Sequence, residues 1–201
     1  NRAESLLMPK DWINLQLTGK RAQDYTEASL SFLMDQSKRN WSDELISLTG
    51  ISRNLLSPIK NPSEILGGLT ERVANQLGLS AGIPVLVGAG DYPTALLGSG
   101  ACEAGLGSDV TGTSTIMTII HDNPVMHHNV SNLLEPSGNW GSFTLLDAGG
   151  DAIRWARRAF HENQRSYDEV DKAAIQAAAG SSSLFFLPYL SLIHISEPTR
   201  L

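Results

Sequence analysis

Short apolar stretches alternate with polar, glycine-containing segments along the chain, and their periods predict both helices and strands. Where apolar residues recur every three to four positions between a capping residue and a glycine, we predict helices. The clearest starts are Ser42, which two acidic residues follow, and Ser166, which forms a capping box with Glu169. The predicted helices cover residues 5–17, 43–48, 70–77, 151–160 and 167–179, and a further helix is expected to begin at residue 94.

Short continuous apolar runs between turn residues predict the strands. Residues 85–87 read Val-Leu-Val, a run typical of a strand that is buried on both faces of a mixed or parallel sheet. Two other runs flank Thr111-Gly112-Thr113-Ser114, and this arrangement predicts a β-hairpin with a small-residue turn. The predicted strands are residues 85–87, 108–110, 116–120, 142–146 and 184–187. Because helices and strands mix without a fixed repeat, the predicted class is α/β.

Composition and charge narrow the class of protein. Hydrophobic residues make up 41% of the 201 residues and charged residues 18%, which allows a packed core. The formal net charge of −6, with scattered Lys and Arg, argues against nucleic acid as a partner. No apolar run approaches the roughly 20 residues that span a bilayer, so no membrane partner is expected. The single cysteine, Cys102, excludes an internal disulfide and fits a reducing compartment, from which we expect a cytoplasmic location.

We expect both ends of the chain to be points at which a longer sequence was interrupted. The sequence starts at Asn1 and enters an apolar-periodic stretch almost at once. Residues 190–200 read LSLIHISEPTR, which resembles the translation of a transposon-end adapter used in sequencing libraries. A natural tail is the alternative interpretation. We therefore leave the segment from about residue 190 onward, with His194 and Glu197, out of every argument about sites.

Asp91 is the first candidate for chemistry, because it follows the predicted strand 85–87 and stands directly after Gly88-Ala89-Gly90. Ligands of α/β proteins bind outside the carboxyl ends of sheet strands. A carboxylate at that place can accept the proton of an alcohol during phosphoryl transfer. The same residue could instead cap the helix that is expected to begin at Thr94.

Two glycine-containing segments are candidates for binding phosphate. Thr111–Ser114 can present backbone N–H groups and hydroxyls to phosphate oxygens, although an ordinary hairpin turn explains the same residues. Ala148-Gly149-Gly150 precedes the helix expected from Asp151, so a nucleotide could approach the partly positive end of that helix. Close packing of the helix on the sheet explains the glycine pair equally well.

Other kinds of site are disfavoured. The histidines within residues 121–128 match no closed set of metal ligands, so no protein-held metal is predicted there. Neither a Gly-x-Ser-x-Gly nucleophile turn nor a Walker-type loop occurs in the sequence. Gly88-Ala89-Gly90 resembles the opening of a dinucleotide fingerprint, but Pro93 takes the third glycine position. A dinucleotide-binding oxidoreductase is therefore the weaker alternative.

Seven segments, taken in order, resemble the FGGY family of carbohydrate kinases, and within it the xylulokinases most. The first three are Leu7–Gly19, similar to "LPKDYL…LTG", Asp24–Ser29, similar to "D-x-S/T-x-A-S", and Asn40–Ser42, similar to "DWS". The others are Gly88–Asp91 for "GxGD", Gly112–Ser114 for "GTS", Ala148–Gly150 for a glycine-containing helix start, and Phe186–Ser191 for "FLPYLSGERTP". No single motif decides the resemblance; their common order over residues 6–191 does.

The resemblance implies a partial actin-like, ribonuclease-H-like α/β fold with two incomplete domains. The end of the first domain would be residues 1–103 and the start of the second 104–190, with a non-native tail at 191–201. The change from a helix-rich to a strand-rich composition near residues 100–105 favours the same boundary. The chain would be a fragment of a longer parent protein that binds ATP and Mg²⁺ and phosphorylates a small sugar or polyol. A homodimer of that parent is compatible with the resemblance.

The resemblance also implies a role for particular residues. Asp91 would be the catalytic base and would face the sugar together with Tyr92. Gly112, Thr113 and Ser114 would hold phosphate oxygens, while Gly150 and Arg154 would line the nucleotide side. Two positions depart from the family pattern: Tyr92-Pro93, where relatives carry Asn or Gln and a small residue, and Asp151, which replaces a small residue. The open alternatives are a sugar-independent actin-like ATPase and a non-catalytic regulatory relative.

Overall fold

A computed structural model describes residues 3–161 and 164–187 of the chain. In this part of the chain the α-helices are α1 (Pro9–Thr18), α2 (Tyr25–Leu30), α3 (Asp43–Thr49), α4 (Glu71–Leu77), α5 (Asp91–Gly98), α6 (Gly150–His161) and α7 (Tyr167–Ile175). The strands are β1 (Gln23–Asp24), β2 (Met34–Asp35), β3 (Asn40–Trp41), β4 (Ile59–Lys60), β5 (Ile65–Gly68), β6 (Pro84–Leu86), β7 (Gly107–Thr111), β8 (Thr115–His121), β9 (Ser131–Leu134) and β10 (Trp140–Leu146). Short 3₁₀ turns cover Arg53–Leu55 and Ser181–Ser183.

The strands form one four-stranded sheet and three strand pairs. The order in the sheet is β7-β8-β10-β9, and β9 runs antiparallel to β10 with Leu134 opposite Trp140. Strands β1 and β4 pair in parallel, whereas β2–β3 and β5–β6 are antiparallel pairs. No helix in the described residues is both long and apolar enough to cross a bilayer.

The chain divides into two compact units. The first consists of Asn1–Ser108 and Thr118–Phe143, and the second of Asp109–Met117 and Thr144–Leu201. The limits of these units fall inside strands of the sheet, and the predicted boundary between two kinase domains near residues 100–105 stays a prediction.

Four apolar clusters stabilise the first unit, and two of them include residues of the four-stranded sheet. The larger gathers buried side chains of α2, α3 and the short strands around two tryptophans, and its members are Tyr25, Ala28, Met34, Trp41, Ile46, Leu56, Leu134 and Trp140. In the smaller, Leu96 of α5 packs on Ala101, Ile120 and Leu133. Burial of one such leucine side chain contributes about 1.5–3 kcal/mol, so this contact fixes α5 on the sheet.

The local signals for helix ends are confirmed where the predicted helices meet polar caps or glycine. The hydroxyl of Ser42 accepts the N–H of Leu45 at 3.2 Å, and Ser166 and Glu169 form the predicted capping box. Gly19 and Gly78 end α1 and α4 in the left-handed conformation, which glycine adopts without a steric penalty.

Helix α1 differs from the prediction in its start and in the face that it buries. It begins at Pro9 rather than at residue 5, because Leu6 forms a parallel bridge with Leu56. Its buried residues are polar: Asp11, Asn14 and Thr18. The apolar Trp12 and Ile13, by contrast, are 56% and 51% exposed. The prediction of an amphipathic helix with an apolar buried face was therefore wrong for α1.

The predicted strand at 85–87 was also wrong in its setting. Strand β6 covers Pro84–Leu86, and among the described residues it pairs only with β5, in the antiparallel sense. Leu86 is 51% exposed, while Val87, just beyond the strand, is fully buried. The exposure of Leu86 leaves one face of the strand open to solvent, so the apolar run did not indicate a strand buried on both faces here.

Three further differences concern where elements begin and end. Helix α5 starts at Asp91 instead of Thr94, because the N–H and hydroxyl of Thr94 both donate to the carbonyl of Gly90. Helix α7 ends at Ile175, before the predicted residue 179. Residues 184–187 form no strand, and all four side chains are exposed. Residues 188–191 of the last motif and the adapter-like tail lie outside the described residues.

Candidate functional site

Asp91 lies at the first position of α5 and is exposed. The N-cap residue of the helix is Gly90, so Asp91 does not cap α5 as the alternative interpretation required. One carboxylate oxygen, Oδ1, accepts the N–H of Tyr92 at 2.7 Å. A negative charge in the first turn of a helix is favoured by the helix dipole. One oxygen of the carboxylate is thus held by the backbone, and the group is accessible to a ligand.

The side chain of Tyr92 takes part in the packing of the first unit. Its hydroxyl forms a hydrogen bond with the hydroxyl of Thr118 in β8. Its ring lies 6.4 Å from the ring of Phe143 in β10, in a tilted arrangement. These contacts attach the start of α5 to the sheet, and a role of Tyr92 in binding substrate stays a prediction.

The turn before Asp91 is held from the side of α1 and α2. The side-chain amide of Asn14 donates to the carbonyl of Val87 at 2.7 Å, and the ammonium group of Lys10 lies 3.3 Å from the same oxygen. At the other end of the turn, the N–H of Gly90 donates to the hydroxyl of Thr26 at 3.1 Å. A Cβ atom on Gly90 would lie 3.0 Å from Cγ of Glu27, so any larger residue here would have to displace the Glu27 side chain slightly.

A cluster of charged side chains lies behind this turn. The Lys10 ammonium nitrogen is 2.5 Å from a carboxylate oxygen of Asp11, 3.0 Å from Asp24 and 3.6 Å from Glu27. The side chains of Asp11 and Asp24 are fully buried, and those of Lys10 and Glu27 are about one-fifth exposed, at 22% and 20%. Asp24 also caps α2, because its Oδ1 accepts the N–H groups of Thr26 and Glu27.

Burial and mutual repulsion shift the pKa values in this cluster. Burial raises the pKa of Glu27 to about 7, and the charges of Asp24 and Asp11 act in the same direction, while Lys10 opposes them. The pKa of Asp11 is raised chiefly by burial, partly offset by its hydrogen bond with Lys10. Burial would lower the pKa of Lys10, but the hydrogen bond to Asp11 and the charges of Asp24 and Asp11 outweigh it and raise that pKa.

Oxygen atoms of Asp11, Asp24 and Glu27 lie within 4.8 Å of one another. Such a set of carboxylates is typical of a site for a divalent cation. Here the ammonium group of Lys10 contacts all three carboxylates and supplies a positive charge at that point. The arrangement is therefore that of a buried ion-pair network rather than of an open metal site.

In the second unit, the structure brings the predicted phosphate turn and the predicted nucleotide helix together. The N–H of Gly150 donates to the carbonyl of Gly112 at 2.9 Å, and the N–H of Gly149 to the carbonyl of Thr113 at 2.8 Å. A guanidinium nitrogen of Arg154 lies 3.5 Å from the hydroxyl of Thr113. The predicted residues of this group thus form one local structure at the start of α6.

Close packing accounts for the glycine pair at the start of α6. A Cβ atom on Gly149 would lie 2.0 Å from the hydroxyl of Thr115, and one on Gly150 would lie 2.3 Å from the carbonyl oxygen of Gly112. Both positions therefore exclude any side chain, whatever ligand the turn holds. The N–H groups of Thr113 and Ser114 have no hydrogen-bond partner in the described part of the chain, and they are the donors that the turn can offer to an anion.

Helices α6 and α7 border a hollow of about 230 Å³ whose lining is mostly basic. The residues around it are Asp151, Arg154, Arg157, Arg158 and Tyr167. Asp151 is paired with Arg154 at 2.6 Å, and the guanidinium of Arg157 lies 4.7 Å from the centre of the Tyr167 ring. Asp151, which departs from the family pattern, thus contacts an arginine of its own helix, and the hollow keeps an excess of positive charge.

Residues 1–98 match the family model described as the FGGY family of carbohydrate kinases, N-terminal domain. This range includes the charged cluster, the turn and Asp91. These residues are similar to the N-terminal domain of the FGGY carbohydrate kinases. The resemblance that the sequence motifs indicated is confirmed.

Known relatives of the FGGY family extend the likeness to most of the chain. An autoinducer-2 kinase of Yersinia pestis is 31% identical over 192 residues, which cover 90% of the chain and 36% of that protein. The structure of a xylulose kinase from Lactobacillus acidophilus is 26% identical with a TM-score of 0.79, covering 90% of the chain and 37% of that structure. A xylulose kinase from Rhodospirillum rubrum has a TM-score of 0.84 at 23% identity, with 92% and 39% covered, and shows the fold alone.

These comparisons confirm the predicted class, an α/β fold that forms part of the actin-like FGGY kinase fold. The chain spans between 36% and 39% of the length of the three relatives. Sequence reasoning missed the roles of Lys10, Asp11, Asp24 and Glu27. The signal was present, because the FGGY motifs at 7–19 and 24–29 contain all four residues.

Proposed function

We propose that the chain is part of an ATP-dependent FGGY sugar kinase, with Asp91 as the base that accepts the proton of the attacking hydroxyl. The observation that carries the proposal is an exposed carboxylate on a turn fixed by side chains of α1 and α2, within the residues that match the family. The longer protein that carries this chain is called the parent.

The chemistry that we assign to the chain is transfer of the γ-phosphoryl group to a ketose or polyol. Asp91 would orient the hydroxyl and take its proton, a contribution of about 10²–10⁴-fold to the rate. The N–H groups of Thr113 and Ser114, with the Ser114 hydroxyl, would bind phosphate oxygens, and Gly112 would leave them accessible. Gly150 and Arg154 would line the nucleotide side. Bound Mg²⁺ would neutralise phosphate charge, since phosphoryl transfer depends on positioning and electrostatics.

Within the class of sugars, we propose a xylulose-like ketose as the preferred substrate. Support comes from two relatives named as xylulose kinases, whereas a third is named as an autoinducer-2 kinase. Tyr92 is proposed to border the sugar, through its backbone at the first turn of α5. We also propose that residues 1–103 and 104–190 are parts of the two kinase domains. The parent is proposed to be cytoplasmic and to form a homodimer.

The test replaces Asp91 by alanine in the parent and measures phosphorylation of a panel of pentuloses and polyols. Loss of the base should lower kcat by about 10²–10⁴-fold on every accepted sugar. Asp43→Ala is the matched control, because Asp43 is also an exposed aspartate in the first turn of a helix. Turnover of Asp91→Ala within a few-fold of the unchanged parent would refute the assignment.

The same assay separates the kinase from the alternatives. A sugar-independent ATPase would release ADP at the same rate with and without sugar, and a non-catalytic regulatory relative would show no sugar-dependent turnover. We expect ADP release to increase on addition of the preferred ketose.

A further inference from the structure

A closed ring of polar contacts passes through the turn that precedes Asp91. From the carbonyl of Val87 it runs to the ammonium of Lys10, at 3.3 Å, and on to Oδ2 of Asp24, at 3.0 Å. The other oxygen of Asp24 accepts the hydroxyl of Thr26, and that hydroxyl accepts the N–H of Gly90 at 3.1 Å. Residues 87–90 close the ring, which we call the polar ring.

Three members of the polar ring are fully buried, and the turn also has hydrogen bonds on its far side. Asp24 and Thr26 are 0% exposed, and Val87 is 0% exposed as well. On the far side of the turn, the N–H groups of Val87 and Gly88 donate to the carbonyls of Glu64 and Pro62, each at 2.9 Å. The turn therefore has hydrogen bonds to the rest of the unit at both of its ends, and these bonds leave it little freedom to move.

Each contact of the polar ring depends on the contact beside it. Asp24 without Lys10 would be a buried carboxylate that has lost its counter-ion, which costs several kcal/mol in typical proteins, about 3–5. Thr26 links this charge to the backbone, because one hydroxyl can donate to Asp24 and accept from Gly90 at the same time. A hydrogen bond to an ionised group is about twice as strong as a neutral one, so the Thr26 hydroxyl is well oriented.

Asp91 follows Gly90 directly, so the ring sets the origin and direction of the side chain that we assign as the base. A misplacement of about 1 Å caused by a residue away from the reacting atoms can lower a rate by about 10²-fold. We propose that Lys10 and Thr26 are positioning residues, which act through the polar ring to hold Asp91 in the orientation needed for proton transfer. This inference rests on the function proposed for Asp91.

Thr26 offers the cleanest test, because its removal leaves the ion pair of Lys10 and Asp24 in place. In the parent, Thr26→Val keeps the shape and deletes the hydroxyl. We expect kcat to fall about 10- to 100-fold with KM for ATP within about twofold, since the contact orients the base and binds no nucleotide. Thr26→Ser restores the hydroxyl and should return kcat to within about threefold of the unchanged parent.

Thr49→Val is the matched control. Like the Thr26 hydroxyl, its hydroxyl both donates and accepts a hydrogen bond: it donates to the backbone carbonyl of Ile46 at 2.8 Å and accepts the N–H of Ile51 at 3.2 Å. It lies outside the polar ring, at the end of α3. Thr49 is exposed, so this control shows what the loss of a hydroxyl with two hydrogen bonds does by itself. A positioning role predicts a lower kcat only for Thr26→Val.

A double substitution shows whether the effect passes through Asp91. If the ring acts by orienting this carboxylate, Thr26→Val should cause no further loss of kcat when Asp91 is already alanine. A full additional loss in that background would overturn the inference, because the hydroxyl would then act by another route. Near-normal kcat of Thr26→Val beside an inactive Asp91→Ala would also overturn it while leaving the proposed function intact. Near-normal Asp91→Ala would refute the proposed function itself.

Thr26→Cys provides a second variant should the valine variant fail to fold, because it keeps the volume with a much weaker hydrogen-bonding group. The expected result is again a lower kcat at unchanged KM for ATP. Should both variants fail to fold while Thr26→Ser folds, the ring would be an element of folding, and the positioning role would be refuted.

Discussion

Glu27 is the carboxyl group of the cluster whose pKa is raised into the neutral range. It is a part-buried carboxyl beside two other carboxylates, and only Lys10, at 3.6 Å, favours its ionised form. Asp11 on α1 and Asp24 at the start of α2 both face it and raise its pKa, together with burial, to about 7. The turn contributes a backbone contact at Gly90. Near neutral pH, therefore, a fraction of the molecules carries Glu27 in the protonated form.

The contribution of Glu27 to stability should consequently fall as the pH rises from about 4.5 to about 7. The folded pKa of about 7 lies above the ordinary value of 4.5, so the folded state binds the extra proton between these values. The contribution is fully present below pH 4.5 and is lost as the pH rises through about 7. Replacing Glu27 by Gln should raise the free energy of unfolding of the parent at pH 8 by up to about 3 kcal/mol, and with it the unfolding midpoint. At pH 5 the substitution should change both quantities little.

The measurement is thermal unfolding at pH 5 and pH 8, with the exposed Glu44→Gln as control. The control should give the same small difference at both pH values. An equal effect of Glu27→Gln at both pH values would contradict the raised pKa.

At the scale of the element, local signals predicted more than periodicity did. The caps at Ser42 and Ser166 and the glycine ends of α1 and α4 were read correctly, because each depends on a few adjacent residues. Helix α1 was misread because apolar spacing assumes an apolar buried face. Its buried face is polar, since Asn14 and Lys10 bind the carbonyl of Val87, more than seventy positions away in the sequence. Only the fold brings these partners together.

The same contrast applies to the candidate site. Asp91 and the Gly112–Ser114 turn were found from motifs whose chemistry is local. The polar ring was not found, because its members come from α1, from the start of α2 and from the turn after β6. A buried lysine beside three carboxylates has no regular spacing in a sequence. The strand predicted at 184–187 failed for a related reason, since a short apolar run does not reveal whether a neighbouring strand exists.

Gly150 gives a prediction for the start of α6. A methyl group at this position would clash with the carbonyl oxygen of Gly112 at 2.3 Å, and both partners are backbone-fixed. Gly150→Ala should destabilise the second unit by about 1–3 kcal/mol and move the phosphate turn. In the parent, KM for ATP should rise more than KM for sugar.

Gly98→Ala is the matched control, because Gly98 is also helical and no atom lies within 4 Å of a Cβ placed there. It should be neutral or stabilise by about 0.5–1 kcal/mol, as alanine favours helix. The readouts are the unfolding midpoint and the two KM values. An unchanged midpoint for Gly150→Ala would show that the turn can yield without cost.

At the scale of the whole molecule, the residues proposed as the base and as the phosphate turn lie in different compact units. Asp91 belongs to the first unit and Gly112–Ser114 to the second. The chain also spans little more than a third of the relatives that it resembles. The activity that we propose is therefore that of the parent, and we expect residues beyond these 201 to complete the proposed sugar and nucleotide surfaces.

We expect the 201-residue chain alone to consume no ATP in response to sugar, whereas the parent does. The comparison is ADP release with and without a ketose, at equal concentrations of chain and parent. A second sample, the chain with Asp91→Ala, controls for background hydrolysis. Sugar-dependent turnover by the chain alone that disappears in Asp91→Ala would contradict this expectation and would show that one-third of the protein suffices.

The buried ion-pair network has a consequence for how such a protein can change over generations. One ammonium group serves three carboxylates, so the loss of Lys10 would leave Asp11, Asp24 and Glu27 as neighbouring negative charges with no neutralising partner. A lineage that replaces the lysine must discard acids at about the same time, and one that keeps the acids must keep the lysine. We therefore expect the four positions to be inherited as a set, with substitutions at them that covary among descendants.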